Sequence, residues 1–195
     1  MRFDHVDIDL LRRYNEPGPR YTSYPTAPLF SEEFTGDDFR REIVESNAAG
    51  SNRPLSLYFH LPFCDTLCYF CGCTMIVSRK VDKKQEYYDR LYREVELVSS
   101  LVAPGRRVEQ LAWGGGTPTD QTPEQIRRLG EVIHENFDLA APDEVEASSE
   151  IDPRDLTRDH MVALKEAGFN RVSMGVQDFD PKVQKAVNRM QPEAM

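Results

Sequence analysis

The sequence predicts an α/β fold: a partial, incomplete βα barrel of parallel strands, preceded by an N-terminal extended and helical arm. Three observations predict it. Apolar runs of strand character at 55–59, 108–113, 144–149 and 171–176 alternate with stretches of helical period, and strands separated by helices build parallel sheets from βα units. All four cysteines fall within residues 64–73, directly after the first run. The glycines at 114–116, Glu150 and Gln177 each stand just past the end of a different later run. In a βα barrel those ends meet on one face, where chemistry is carried out. These features are therefore expected to form one site.

Taken in order, residues 1–53 read as an arm and a helix, and 54–195 as the first part of the barrel, cut short of closure. Met1 to Tyr14 predicts a short helix, broken by Asn15-Glu16-Pro17-Gly18-Pro19. Residues 20–28 hold too many prolines for a helix and predict an extended arm. Thr35 to Ala49 carries helical spacing at Phe39, Ile43 and Val44. After the first strand and the cysteine loop, Asp82 and Gln85 resemble a capping box, and Tyr88, Leu91, Val95, Val98 and Val102 repeat at helical spacing. The second strand ends at Gly114-Gly115-Gly116-Thr117-Pro118. Thr122, Pro123 and Gln125 then mark a helix start, with Ile126, Leu129, Ile133 and Phe137 on one face. Thr157 to Ala167 predicts a helix closed by Gly168, and Asp180-Pro181 opens another that runs towards residue 195 and carries Arg189.

Composition excludes several classes. The 195 residues carry 24 basic and 33 acidic side chains, a net charge of -9, with no basic stripe; nucleic acid is not an expected partner. Asp4, Asp7 and Asp9 interrupt the apolar residues of the N-terminus, so no signal-peptide core is expected, and no stretch approaches a membrane span. A reduced, cytoplasmic setting follows.

Cys64, Cys68, Cys71 and Cys73 are too concentrated for a disulfide framework. Crowded thiolates require a positive partner, a metal or an iron–sulfur cluster. The spacing Cys-x3-Cys-x2-Cys gives three ligands, which leaves one iron of a [4Fe–4S] cubane open to a small molecule. Structural zinc is the rival that spacing leaves standing. A redox Cys-x-x-Cys at Cys68 and Cys71 would leave Cys64 unexplained.

The segments 58–64 (YFHLPFC), 113–119 (WGGGTPT) and 175–179 (GVQDF), together with the cysteine loop, resemble the radical S-adenosylmethionine (SAM) enzymes. Within them, the arm 18–27 (GPRYTSYPTA), Cys73 and the segment 169–179 (FNRVSMGVQDF) are similar to the oxygen-independent coproporphyrinogen III oxidase family of haem biosynthesis. The resemblance implies that Cys64, Cys68 and Cys71 ligate a [4Fe–4S] cluster and that Cys73 does not. It implies two SAM molecules, the first touched by Tyr58, Gly115 and Glu150, the second by Phe70, Gly116, Thr117, Gln177 and Arg189. It implies one-electron cleavage of SAM to methionine and a 5′-deoxyadenosyl radical, then oxidative decarboxylation of coproporphyrinogen III propionates to the vinyl groups of protoporphyrinogen IX. A flavodoxin or ferredoxin as reductant, a porphyrinogen as substrate and a monomeric state complete the implied picture. No residue is assigned as a catalytic acid or base.

Each residue alone has an ordinary reading: packing for Tyr58 and Phe70, a turn for the glycines, solvated or capping roles for Glu150 and Gln177, a surface charge for Arg189. His60 reads as a histidine that orients the loop. Arg12, Arg13 and Arg20 suit either a grip on a tetracarboxylate or a solvated segment. Two other functions stay open: a haem-binding chaperone of the same superfamily, whose members lack the proline-rich arm, and a radical SAM enzyme such as a methyltransferase acting on another substrate. A chain that ends inside the barrel is expected to bind a cluster without turning over substrate.

Overall fold

The computed structural model describes residues 7–15, 29–48, 53–193 and 195. The arm expected at 20–28 and the first residues of the expected N-terminal helix lie outside them. The chain divides into two compact units, Met1–Phe39 and Arg40–Met195.

In the first unit, helix α1 (Ile8–Tyr14) starts where the Asp7 carboxylate accepts from the amides of Asp9 and Leu10, each at 3.0 Å. That satisfies two N–H groups a helix start leaves bare. Helix α2 (Gly36–Ala48) opens on a reciprocal cap: the Asp38 amide donates to Thr35 Oγ1 at 3.3 Å, and the Thr35 amide donates to Asp38 Oδ2 at 2.8 Å. Its last turn belongs to the second unit. There Asn47 donates to the Leu101 carbonyl at 2.7 Å and accepts from the Ala103 amide at 3.1 Å.

From residue 55 onward the order is β1 (Leu55–Leu61), β2 (Phe63–Cys64), β3 (Ile76–Val77), α3 (Val81–Ser99), β4 (Arg107–Gly115), a 3-10 turn (Pro118–Asp120) and α4 (Pro123–Asn136). Then come β5 (Asp138–Leu139), β6 (Glu146–Ile151), α5 (Arg158–Glu166), β7 (Arg171–Met174) and α6 (Pro181–Ala186). The main sheet runs β1-β4-β6-β7, every neighbour parallel, with the short β5 also paired to β4. The long strands neighbour one another in chain order, without the reversal that marks a doubly wound sheet. This is the α/β arc of an incomplete barrel.

The core lies where α3, α4 and α5 cover this sheet. Val108, Leu111 and Trp113 of β4 and Ala147 of β6 are buried with Tyr88, Leu91 and Val95 of α3 and Ile126, Leu129 and Ile133 of α4. Gly130 lets α4 close on α5: a Cβ there would stand 2.6 Å from the Cβ of Ala167. Thr122 and Gln125 form the expected capping box, and Thr157 forms one with His160. Among the described residues no helix is long and apolar enough to cross a membrane.

Several sequence expectations shift. Asp82 and Gln85 form no capping box; α3 begins at Val81 with Lys80 as its uncapped N-cap, so Asp82 sits in the first turn, where its charge faces the helix dipole. Strand β4 runs on through Gly115 and β6 through Ile151. Gly114, Gly115 and Glu150 are therefore the last residues of strands rather than the turns after them. Helix α6 ends at Ala186, and Asn188 follows at φ 54. Arg189 thus lies beyond the helix that was expected to carry it, since that left-handed residue cannot continue a right-handed helix. The two-residue strands β2, β3 and β5 carry no periodic signal and went unseen.

Candidate functional site

The cysteine loop is closed at its base and pinned at its tip. At the base β2 pairs with β3, the Ile76 amide donating to the Pro62 carbonyl at 2.7 Å and the Ser78 amide to the Cys64 carbonyl at 3.1 Å. At the tip the Tyr69 amide donates to the Val187 carbonyl at 2.9 Å, and Asn188 Nδ2 donates to the Leu67 carbonyl at 2.7 Å. The positive φ of Asn188 suits asparagine, which tolerates the left-handed region better than most residues. On the near side Lys84 Nζ bridges Asp65 at 3.0 Å and Asp120 at 2.7 Å, so one ammonium ties the loop to α3 and to the turn after β4. Burial alone would lower the pKa of Lys84, but the hydrogen bonds it donates to Asp120 and Asp65 outweigh it and the net shift is upward.

A cavity of about 330 Å³ opens over this loop. Cys64, Cys68 and Cys71 line it, as do Phe70, Gly115, Gly116 and Thr117. Glu150, Gln177 and Arg189 line it too, so the strand ends do converge on one place. Tyr58 does not line it. Its ring stands beside Gly114, where a Cβ would come within 3.2 Å of both the Tyr58 ring and the Glu150 carboxyl group. The Glu150 carboxylate accepts from the Gly115 amide at 3.3 Å. Gly115 adopts φ +112, and a Cβ there would meet the His60 ring at 2.7 Å; glycine is the residue that fits. His60 is bonded to the loop and to Tyr58. Its Nε2–H donates to the Thr74 carbonyl at 2.8 Å, and Nδ1 pairs with the Tyr58 hydroxyl at 3.1 Å.

The thiols are chemically unequal. All four cysteines are free, Cys64 and Cys68 half-buried, Cys71 and Cys73 exposed. Burial pushes the Cys64 thiol up, partly offset by its hydrogen bond with Thr117 Oγ1 at 3.3 Å. Burial and the neighbouring Cys71 push Cys73 up. Cys73 also lines the cavity, and its amide donates to Cys71 Sγ at 3.4 Å. Among the described residues no three His, Cys, Asp or Glu side chains converge closely enough to hold a single metal ion. Thiolates on a cubane each bind a different iron and need not converge on a point. Of the four free thiols at the cavity, Cys64, Cys68 and Cys71, whose sulfurs are hydrogen-bonded to a hydroxyl, a guanidinium and a backbone amide, are a donor set that fits such a cluster.

Two charged residues of the site escaped the sequence reading. Asp152 and Arg154 follow β6 and line the same cavity. Arg154 Nε donates to Asp152 Oδ1 at 2.9 Å and Nη2 to Oδ2 at 2.6 Å, while Arg189 Nη1 stands 3.2 Å from the same carboxylate. Burial pushes the Asp152 carboxyl up, but the Arg154 hydrogen bonds and the Arg189 charge hold it below the usual range. Their position just after a strand, the signal used for Gln177, was available for them as well.

The family model for the radical SAM superfamily matches residues 58–194. The chain belongs to the radical SAM superfamily. Membership of that superfamily implies a [4Fe–4S] cluster and SAM. Among its relatives, the oxygen-independent coproporphyrinogen III oxidase of Escherichia coli strain K12 is 50% identical over 187 residues, 96% of this chain and 39% of the relative. That of Pseudomonas aeruginosa is 48% identical over 185 residues, 95% of this chain and 40% of the relative. The solved structure of the Escherichia coli coproporphyrinogen III oxidase, a radical SAM enzyme, superposes with a TM-score of 0.80 at 46% identity, covering 97% of this chain and 41% of that one. This radical SAM chain spans about two fifths of the length of the relatives it matches.

Proposed function

We propose that this chain carries the cofactor half of an oxygen-independent coproporphyrinogen III oxidase, with a [4Fe–4S] cluster on Cys64, Cys68 and Cys71. The observation that supports it most is the single cavity onto which the three cysteines, the Gly115–Gly116 backbone and Glu150 all open. When bound, the reduced cluster supplies one electron to the sulfonium of SAM, and the hard chemistry is the cofactor's own. The chain supplies position. Gly115 and Gly116 present bare backbone to the cavity, and the Glu150 carboxylate is an acceptor for ribose hydroxyls. Tyr58, Gly115 and Glu150 are assigned to a first SAM, and Phe70, Gly116, Thr117, Gln177 and Arg189 to a second. Phe70 is 60% exposed at the loop tip, a free face on which an adenine can stack.

In the whole protein these residues would serve the oxidative decarboxylation of coproporphyrinogen III to protoporphyrinogen IX, in the cytoplasm, as a monomer fed by a flavodoxin or ferredoxin. In this reading residues 1–53 are the N-terminal arm and helix, and 54–195 the cofactor-binding first part of the barrel. The described arm arginines are exposed: Arg12 pairs with Asp9 at 3.3 Å, and Arg13 stacks over Tyr14. Anaerobic reconstitution of this chain tests the reading. The expected result is about four irons and four sulfides per chain, with an electron paramagnetic resonance spectrum that changes on adding SAM. Stoichiometric zinc, or a cluster whose spectrum ignores SAM, would reject it.

A further inference from the structure

We infer that Arg154 is a positioning residue for the cluster: its guanidinium fixes Cys68 and raises the cluster's reduction potential by placing a charged N–H donor on that one sulfur. The inference rests on the cluster reading above and adds to it a residue and a function.

The three proposed ligands receive different donors. Cys64 Sγ faces the neutral hydroxyl of Thr117 at 3.3 Å, and Cys71 Sγ accepts a backbone amide at 3.4 Å. Cys68 Sγ accepts from Arg154 Nη2 at 3.3 Å, with Arg189 Nη1 at 3.8 Å. A guanidinium keeps its charge at every working pH. Cys68 therefore stands alone among the three in meeting full positive charge.

Arg154 is held there by more than the sulfur. Its Nε and Nη2 form a fork on Asp152, and the side chains of Arg154, Arg189 and Asp152 are only 19%, 13% and 9% exposed. Two guanidiniums share one carboxylate, so one positive charge is left over, and the Cys68 sulfur is the neighbour that meets it. Arg189 has a further duty, donating to the Gly175 carbonyl at 3.2 Å. Arg154 has the shorter bond to Cys68. Reduction makes the cluster more negative by one electron, and hydrogen bonds and positive charge at a ligand sulfur stabilise the more negative state. Shielding from water strengthens that effect.

The test uses this chain reconstituted anaerobically as wild type, Arg154→Lys and Arg154→Met, with dithionite as the one-electron reductant. Iron and sulfide content and the midpoint potential are measured without SAM. Arg154→Met is expected to disfavour reduction by about tenfold, a shift of about 59 mV to more negative potential for one electron. Arg154→Lys keeps the charge but not the fork, and is expected to fall between the two. A purely structural role predicts less cluster at an unchanged potential. That outcome, in Arg154→Met or, where that variant holds no cluster, in Arg154→Lys, overturns the inference while leaving the cluster reading intact. A wild-type chain that takes up no cluster overturns both.

Discussion

Helix α4 and the cysteine loop, joined to the same sheet, are held by opposite means. In α4, Ile126, Leu129, Gly130, Val132 and Ile133 are buried, and Ile126 and Leu129 are wholly out of solvent. From Cys64 to Lys80 no residue is buried, and Tyr69 at the loop tip is 69% exposed. Non-directional apolar contact fixes the helix. The loop rests on a few directional bonds from distant residues: Lys84 to Asp65, Asn188 to Leu67, Val187 to Tyr69, Arg154 to Cys68. A site built this way separates stability from ligand geometry. The scaffold can weaken without retuning the thiols, and the thiols can be freed without unfolding the scaffold.

The largest effect belongs to the helix. Leu129→Ala removes a side chain with no exposed surface, between the sheet and its covering helices. The expected loss is about 4 kcal/mol, the transfer of the missing atoms plus the cavity they leave. Urea unfolding followed by circular dichroism checks it. Under native conditions, alkylation of Cys64, Cys68 and Cys71 should keep its wild-type pattern. A selective rise at these thiols would show that the core governs the loop directly, and the contrast would fail.

Lys84→Met attacks the other side. The Asp120 side chain is 6% exposed and would lose its cation, while Asp65 is 45% exposed and can turn to water. Removing one partner of a buried pair costs about 3 kcal/mol, because the remaining charge stays desolvated. Here the diagnostic readout is local. Alkylation of Cys64 and Cys68 by iodoacetamide is expected to quicken several-fold in conditions where the fold is intact by circular dichroism. Unchanged alkylation would mean that the short β2–β3 pair and the Asn188 clamp hold the loop by themselves.

The same division decides what could be read from the sequence. Burial leaves a periodic trace, so Ile126, Leu129 and Ile133 and their Thr122–Gln125 cap are visible as a pattern, and so is the parallel order of the four long strands. The cysteines, the glycines and Gln177 are visible as unusual residues after apolar runs. The clamps leave no trace, because each joins positions far apart in the chain: Asn188 reaches Leu67 and Arg154 reaches Cys68 across most of the second unit. Arg154 looks like any surface arginine until Asp152 is seen buried beside it. The false capping box at Asp82 and Gln85 has a related cause. Gln85 is spent on Asp89 at 2.8 Å and on Gln125 of α4 at 3.3 Å, a tertiary contact that local pattern cannot announce.

That last contact sharpens the smallest effect. The Thr122 hydroxyl accepts from the Gln125 amide at 3.3 Å, and Gln125 Oε1 accepts from the Thr122 amide at 3.0 Å. Thr122→Ala loses the first bond and is expected to cost about 1 kcal/mol, with Thr122→Ser close to wild type because serine caps at least as well. Gln125 also donates to Gln85 on α3, so the box holds the side chain that links the two helices. If the box is only a local cap, Thr122→Ala and Gln85→Ala should lower the urea stability additively in the double variant. A double variant that loses clearly less than the sum would show that the cap acts through the α3–α4 contact. In that case even this exposed helix end would owe part of its stability to a directional long-range bond, and the line between scaffold and loop would run through α4 itself.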